Sequence, residues 1–451
     1  DGKTTVFVQA GDVTSLSGTA TDVKAAYTAD AAGTLVLDND EAVSVSGSVS
    51  VADANIIAGK TSGVVTATIA EGDLTTLAGL NETGNAYTVT ITDTSATAAA
   101  LTTLDGKTTV AVQAGNVTSI SGTATEVKAA YTADANGTIV LDGDEAVSVS
   151  GSVSVADANI IAGKTSGVVT ATIATGSYAD LNALNETNNA YALTLNETLT
   201  VAQADALDAK TTGVVDLSAT SITGTLSDIS TLYDANSAGT VSGLGNENVA
   251  VSDTGTVTAS TINSINGLTT GVVTISSATA VTGTLSELTT LYAANSAGTI
   301  TGLGNEAITL TGGNSVSNAN TVAALTTGVV TATITEGDMT TLAGLTETGN
   351  AYTVTITDSS VASSALNTLD GKTTVAVNAA AVTTLTGLAA DANTAYASSG
   401  ISGLGNEAVT LSDTSLATTV LNTLDGNTTG AVNAATVTTL TGTAATANTA
   451  Y

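Results

Sequence analysis

A Thr-Thr or Thr-Ser pair followed by an apolar stretch returns nine times along the 451 residues, starting at Thr4, Thr61, Thr108, Thr165, Thr211, Thr269, Thr326, Thr373 and Thr428. The intervals are 57, 47, 57, 46, 58, 57, 47 and 55 residues, so long and short units share the chain. Recurrence at such a period constrains the fold more than any other feature. Each unit buries its apolar face against its neighbours, which is the logic of a solenoid. Residues 1–451 read as one continuous array, and the phase at each end reads as a window cut from a longer protein.

The unit itself has a grammar. Four residues past each anchor threonine the residue is always valine, from Val8 and Val65 to Val432, and the next residue is always polar or charged. That alternation predicts a strand, and stacked strands would place the valines in an inward ladder about 4.8 Å apart. A segment such as Leu285 to Asn295 then predicts a helix with Leu285, Leu288 and Leu291 on one face. Tyrosines fall in this segment in long units (Tyr27, Tyr131, Tyr233, Tyr292, Tyr396, Tyr451); in short units Tyr87, Tyr191 and Tyr352 open the next strand instead.

A second strand follows, ending at a position held only by Gly, Asp or Asn (Gly47, Asp93, Gly151, Asn196, Asp253, Gly312, Asp358, Asp413). These types tolerate left-handed backbone or cap a following helix. A second helix, such as Leu416 to Leu424, stops at Asp425-Gly426, as others do at Asp105 and Asp370. The expected fold is a right-handed parallel α/β solenoid, β-helix-like, with about two coils per 46–58-residue unit and about sixteen coils in all. The alternative is a pure parallel β-helix, because Ala- and Thr-rich segments make weak helices.

Composition narrows function. Forty acidic residues face eight basic ones, all lysine, for a net charge of -32. Nucleic acid and anionic membranes need a basic footprint and are excluded as natural partners. No run approaches the roughly 18 apolar residues of a membrane span. The chain has no Cys, His, Trp, Pro or Arg, so disulfides and thiolate metal sites are ruled out. The scarcity of nitrogen-, sulfur- and ring-rich residues fits a material made in bulk.

Candidate sites are few. Asp38-Asn-Asp-Glu41 and Asp142-Gly-Asp-Glu145 each gather three carboxylates at a turn, the oxygen-rich chemistry calcium takes. Asp38, Asp40, Glu41, Asp142, Asp144 and Glu145 are therefore the candidate calcium ligands; the alternative is a polar turn between two strands. Six lysines (Lys3, Lys60, Lys107, Lys164, Lys210, Lys372) directly precede the anchor threonine, and their expected role is to neutralise nearby acidic turns rather than to bind anions. Threonine pairs such as Thr88/Thr90 suit a solvated strand face, with an ice lattice or sugars as other partners. Every acidic cluster recurs with the repeat and none marks a unique place, so the chain reads as a non-enzyme with no catalytic residue and no cofactor beyond calcium.

The phrases running from Ile401 to Thr414 (Ile-Ser-Gly-Leu-Gly-Asn-Glu-Ala-Val-Thr-Leu-Ser-Asp-Thr) and from Leu421 to Gly430 resemble repeats of very large secreted or cell-surface proteins of marine picocyanobacteria, among them the giant surface protein associated with swimming. The resemblance implies an extracellular, array-forming surface protein and carries no catalytic residue over. The expected function is structural: a filament, surface layer or adhesin stalk built by self-association of acidic repeats. The rival expectations are an adhesin for ice or surface glycans and a carbohydrate-active β-helix enzyme.

Overall fold

The computed structural model describes Lys3 and residues 5–450; Thr4 and Tyr451 lie outside them. Among these residues the chain is α/β, with thirty-three short strands and seventeen helices. Every strand pairing is parallel. Two compact units divide it. The first holds the residues up to Glu197 with Ala202–Ala219 and Ala235–Gly243; the second holds Thr198–Val201, Thr220–Asp234 and the residues from Leu244 onward.

In the first unit the chain repeats one path: strand, turn, second strand, helix, and return. Val112–Gln113, Ser119–Thr123 and helix Ala124–Ala135 make one passage, and Ile139–Val140, Ala146–Val153 and helix Val155–Ala162 make the next. Ile139 pairs with Val112 and Val147 with Ile120, so each passage lies in register on the one before. A seven-stranded sheet results, from Ser95–Thr97 to Val241–Ser242, together with a four-stranded one running from Ser15–Thr19 to Ala86–Thr88. The second unit follows the same path. Its two five-stranded sheets run from Leu199–Thr200 to Ile300–Thr301 and from Thr256–Thr258 to Ala351–Thr353. This is compatible with a solenoid-like repeat fold, and the helices favour the α/β reading over a pure β-helix.

The anchor valines are buried inward as expected, but they do not stack into one ladder: Val273 belongs to one sheet and Val330 to another. Val65, Val112, Val169, Val215, Val273, Val330 and Val377 are all fully buried. Each anchor valine instead meets branched residues of the neighbouring passages, as where Val273 pairs with both Val249 and Ile300 and Val330 with Ile308. Each such side chain contributes roughly 1.5–3 kcal/mol by leaving water. The pattern forces the register, because a slip of one residue would turn the exposed threonines of Val65–Ile69 inward.

Helix length follows the unit. Four long units carry helices of 12 or 13 residues (Ala20–Ala31, Ala124–Ala135, Leu226–Ala238, Leu285–Ala297) and the one from Thr373 a helix of nine (Ala389–Ala397), whereas Leu74–Leu77, Tyr178–Leu181 and Met339–Leu342 are single turns of four. A single turn has no stability of its own. It is held by docking Leu77, Leu181 or Leu342, all fully buried, and by capping from the next passage. Asp93 accepts the Leu74 amide at 2.6 Å, Glu197 that of Tyr178 at 2.7 Å and Asp358 that of Met339 at 2.7 Å.

Two sequence expectations change here. Asp93, Asp253, Asp358 and Asp413 cap the helix of the passage before them, not the helix that follows. Gly47, Gly151 and Gly312 at the same position do take positive φ, at 77°, 79° and 83°. The Asp-Gly stop holds after Asp105 and Asp370, but the third helix runs on through Gly426 to Asn427. Asparagines add a further rung between helices: Asn55, Asn159 and Asn320 each donate to a carbonyl of the following passage, at 2.6, 2.9 and 2.8 Å.

Candidate functional site

The turns that join the two strands of a passage carry the acidic motifs, and the structure splits each motif in two. Asp38, Asp40, Asp142 and Asp144 are exposed. Glu41 and Glu145 point the other way and are fully buried, as are Glu247 and Glu407 at the equivalent turns, with Glu306 3% exposed. Among the described residues these five are the only buried carboxylates.

Local geometry explains why a glutamate turns inward without a cation. Its carboxylate reaches back over the turn and accepts backbone amides. Glu145 takes those of Asp142 and Gly143, both at 3.0 Å, and Glu247 those of Gly245 at 2.7 Å and Asn246 at 3.0 Å. Glu407 takes Gly405 at 2.8 Å and Asn406 at 3.2 Å. A tyrosine hydroxyl from the preceding helix then donates to the same carboxylate: Tyr27 to Glu41 at 3.3 Å, Tyr131 to Glu145 at 3.2 Å, Tyr396 to Glu407 at 2.9 Å, and Tyr233 to Glu247. Turn and helix are thus tied through the core.

The anchor threonine completes the clamp from the next passage. Thr61, Thr165 and Thr269 donate to the main-chain carbonyls of Glu41, Glu145 and Glu247 at 2.6 Å, and Thr326 and Thr428 to those of Glu306 and Glu407 at 2.7 Å. Each hydroxyl also accepts the amide two residues on, as from Gly63 at 2.9 Å. In short units the partner is a tyrosine main chain: Thr108 and Thr211 donate to the Tyr87 and Tyr191 carbonyls at 2.7 Å, and Thr373 to that of Tyr352 at 2.8 Å. Strands approach so closely in the long units that a Cβ on Gly63 or Gly271 would lie 2.3 or 2.1 Å from the glutamate carbonyl oxygen. No other residue fits there.

Glu41 and Glu145 are therefore engaged inside the fold, and the exposed pairs Asp38/Asp40 and Asp142/Asp144 are what each motif offers to solvent. Among the described residues, no three acidic side chains converge on one point. The sequence did hold a sign of the buried role. Glu247, Glu306 and Glu407 keep the glutamate where the aspartates of the first two turns are replaced, as expected if the glutamate serves the turn itself.

The lysines sit elsewhere than expected. Lys107 and Lys372 reach the Asn81 and Thr346 carbonyls at 3.0 Å, and Lys210 that of Leu184 at 2.8 Å, closing the ends of the single-turn helices rather than neutralising acidic turns. Lys24 pairs with Asp53, and Lys128 with Asp157. Lys60 and Lys164 have no side-chain partner among the described residues.

Burial pushes the Tyr27, Tyr87, Tyr191 and Tyr396 hydroxyls up to about 12, and those of Tyr131 and Tyr233 higher still. A raised folded-state value means that the unfolded chain gives up its protons first as pH rises. These tyrosines contribute their full stability below pH 10 and lose it between about 10 and 12. Alkaline titration followed by circular dichroism and phenolate absorbance should show unfolding and ionisation together in that window. Ionisation of all ten tyrosines at pH 10 with the fold intact would contradict the burial.

No protein family, curated protein or solved structure matches the chain.

Proposed function

We propose that the chain is part of an extracellular structural protein, a right-handed α/β solenoid whose copies associate into a filament, surface layer or adhesin stalk. One observation carries this reading. The same threonine clamp recurs at eight anchors, from Thr61 to Thr428. A device repeated once per unit serves the array, whereas catalysis concentrates one constellation in one place. The marine picocyanobacterial setting and the cell-surface location rest on the resemblance of the repeats.

Electron microscopy of the secreted material before and after chelation tests the proposal. Continuous filaments or sheets are the expected result, and their collapse in EDTA would assign calcium to the exposed Asp38/Asp40 and Asp142/Asp144 turns. Separate rods that never associate would overturn the assembly.

A second reading has an observation of its own. Thr258, Thr282, Thr309 and Thr331 are successive ladder partners, alternating with buried Val257, Val281, Ile308 and Val330. Such a hydroxyl column suits ice or a glycan. Thermal hysteresis or a glycan-array hit would favour it over the filament.

A further inference from the structure

Four of the eight basic residues of this acidic chain border apolar hollows on the helix side. Lys24 and Lys60 flank a hollow of about 230 Å³ floored by Tyr27, Ile56 and Ile57. Lys107 borders one of about 270 Å³ among Leu74, Leu77 and Leu104, and Lys372 one of about 240 Å³ among Met339, Leu342 and Leu369. The last two arise where a single-turn helix lies beside a longer one. The sequence around Lys24 and Lys60 returns almost unchanged around Lys128 and Lys164. Ile56 and Ile160 are 51% and 49% exposed there, against the near-complete burial of their neighbours Ile57 and Ile161.

The turns between strands present the complementary surface. Asp12, Asp38 and Asp40 are exposed together with Val13, and Asp142 and Asp144 with Val140. Gly11 lies against Asp38, which brings Asp12 and Val13 to the same corner. One surface is apolar with uncompensated positive charge at Lys60 and Lys164; the other is apolar with negative charge.

We infer that the lysine-flanked hollow at Lys60, and the matching helix surface at Lys164, receive the acidic, valine-bearing turns of a second copy of this chain. The inference rests on the assembly reading and gives it a contact. Because donor and acceptor are different surfaces, the contact is heterologous and propagates rather than closing as a symmetric dimer. Its attraction is between exposed charges, so salt weakens it.

A charge swap on the 451-residue chain tests this. The variants are Lys60→Glu with Lys164→Glu, and Asp142→Lys with Asp144→Lys, all at exposed positions, with circular dichroism to confirm folding. By sedimentation velocity at low salt, each variant alone should associate at least ~10-fold more weakly than the unaltered chain, and a mixture of the two should recover association. Ile56→Ser with Ile160→Ser should weaken it without changing its salt dependence. If the unaltered chain stays monomeric at every concentration, the assembly reading fails. If it associates and both charge variants associate equally well, this contact alone is overturned. Binding of anilinonaphthalene sulfonate that needs Lys60 and Lys164, with association unchanged, would also overturn it and make these surfaces sites for a small apolar anion.

Discussion

Replacing Glu247 by alanine is expected to cost about 3–5 kcal/mol, an unusually large effect for an acidic residue in a chain of net charge -32. The carboxylate is fully buried and holds the amides of Gly245 and Asn246 and the Tyr233 hydroxyl. Alanine leaves all three donors without their acceptor, and each buried unsatisfied donor costs roughly 1–3 kcal/mol. Relaxation of the turn toward water recovers part of that. Glu247→Gln keeps an acceptor oxygen in place and should cost less. Combining Glu247→Ala with Tyr233→Phe should cost less than the two single effects added, because both disrupt one network. Urea unfolding would measure this as a shift in midpoint. A change of only ~0.5 kcal/mol for Glu247→Ala, typical of a surface site, would show that the carboxylate does not organise the turn.

Val330→Asp should be more damaging still, and Thr331→Asp nearly silent, although the two positions are adjacent. Val330 is fully buried opposite Ile308, whereas Thr331 faces solvent. A carboxylate at 330 would stand in the ladder with no cation within reach, at a cost of at least ~4 kcal/mol. Since each repeat rests on its neighbours, the damage should be local. Limited proteolysis should find new cuts in the passages flanking Val330 and leave distant passages protected. Equal resistance of Val330→Asp and Thr331→Asp would mean that the strand does not hold this register.

Much of the fold was legible because its strongest signals are local and repeated. Valine four residues past each anchor, followed by a polar residue, has one reading in a stacked array, and from Val65 to Val377 those positions are buried, whereas Val8 and Val432 are half-buried. Helices were legible from leucine spacing, although alanine- and threonine-rich segments gave no guarantee. The second strand of a passage was not: Ser119–Thr123, between Val112–Gln113 and its helix, buries only Ile120, too little for a periodicity that can be counted. Nor could the direction of capping be read, since Asp93 is adjacent in space to Leu74 but nineteen residues from it along the chain.

The candidate site shows the same division. Composition and spacing established by themselves that acidic residues recur at turns, that threonine anchors every unit and that no basic footprint exists. They could not tell Asp40 from Glu41. One further methylene lets the glutamate side chain fold back under its own turn, where amides and a tyrosine from another passage replace water; the shorter aspartates remain outside. The sequence determined which residues repeat, because periodicity is a property of the chain alone. Only the tertiary structure decided which carboxylates face solvent, because that depends on donors brought together from passages distant in sequence.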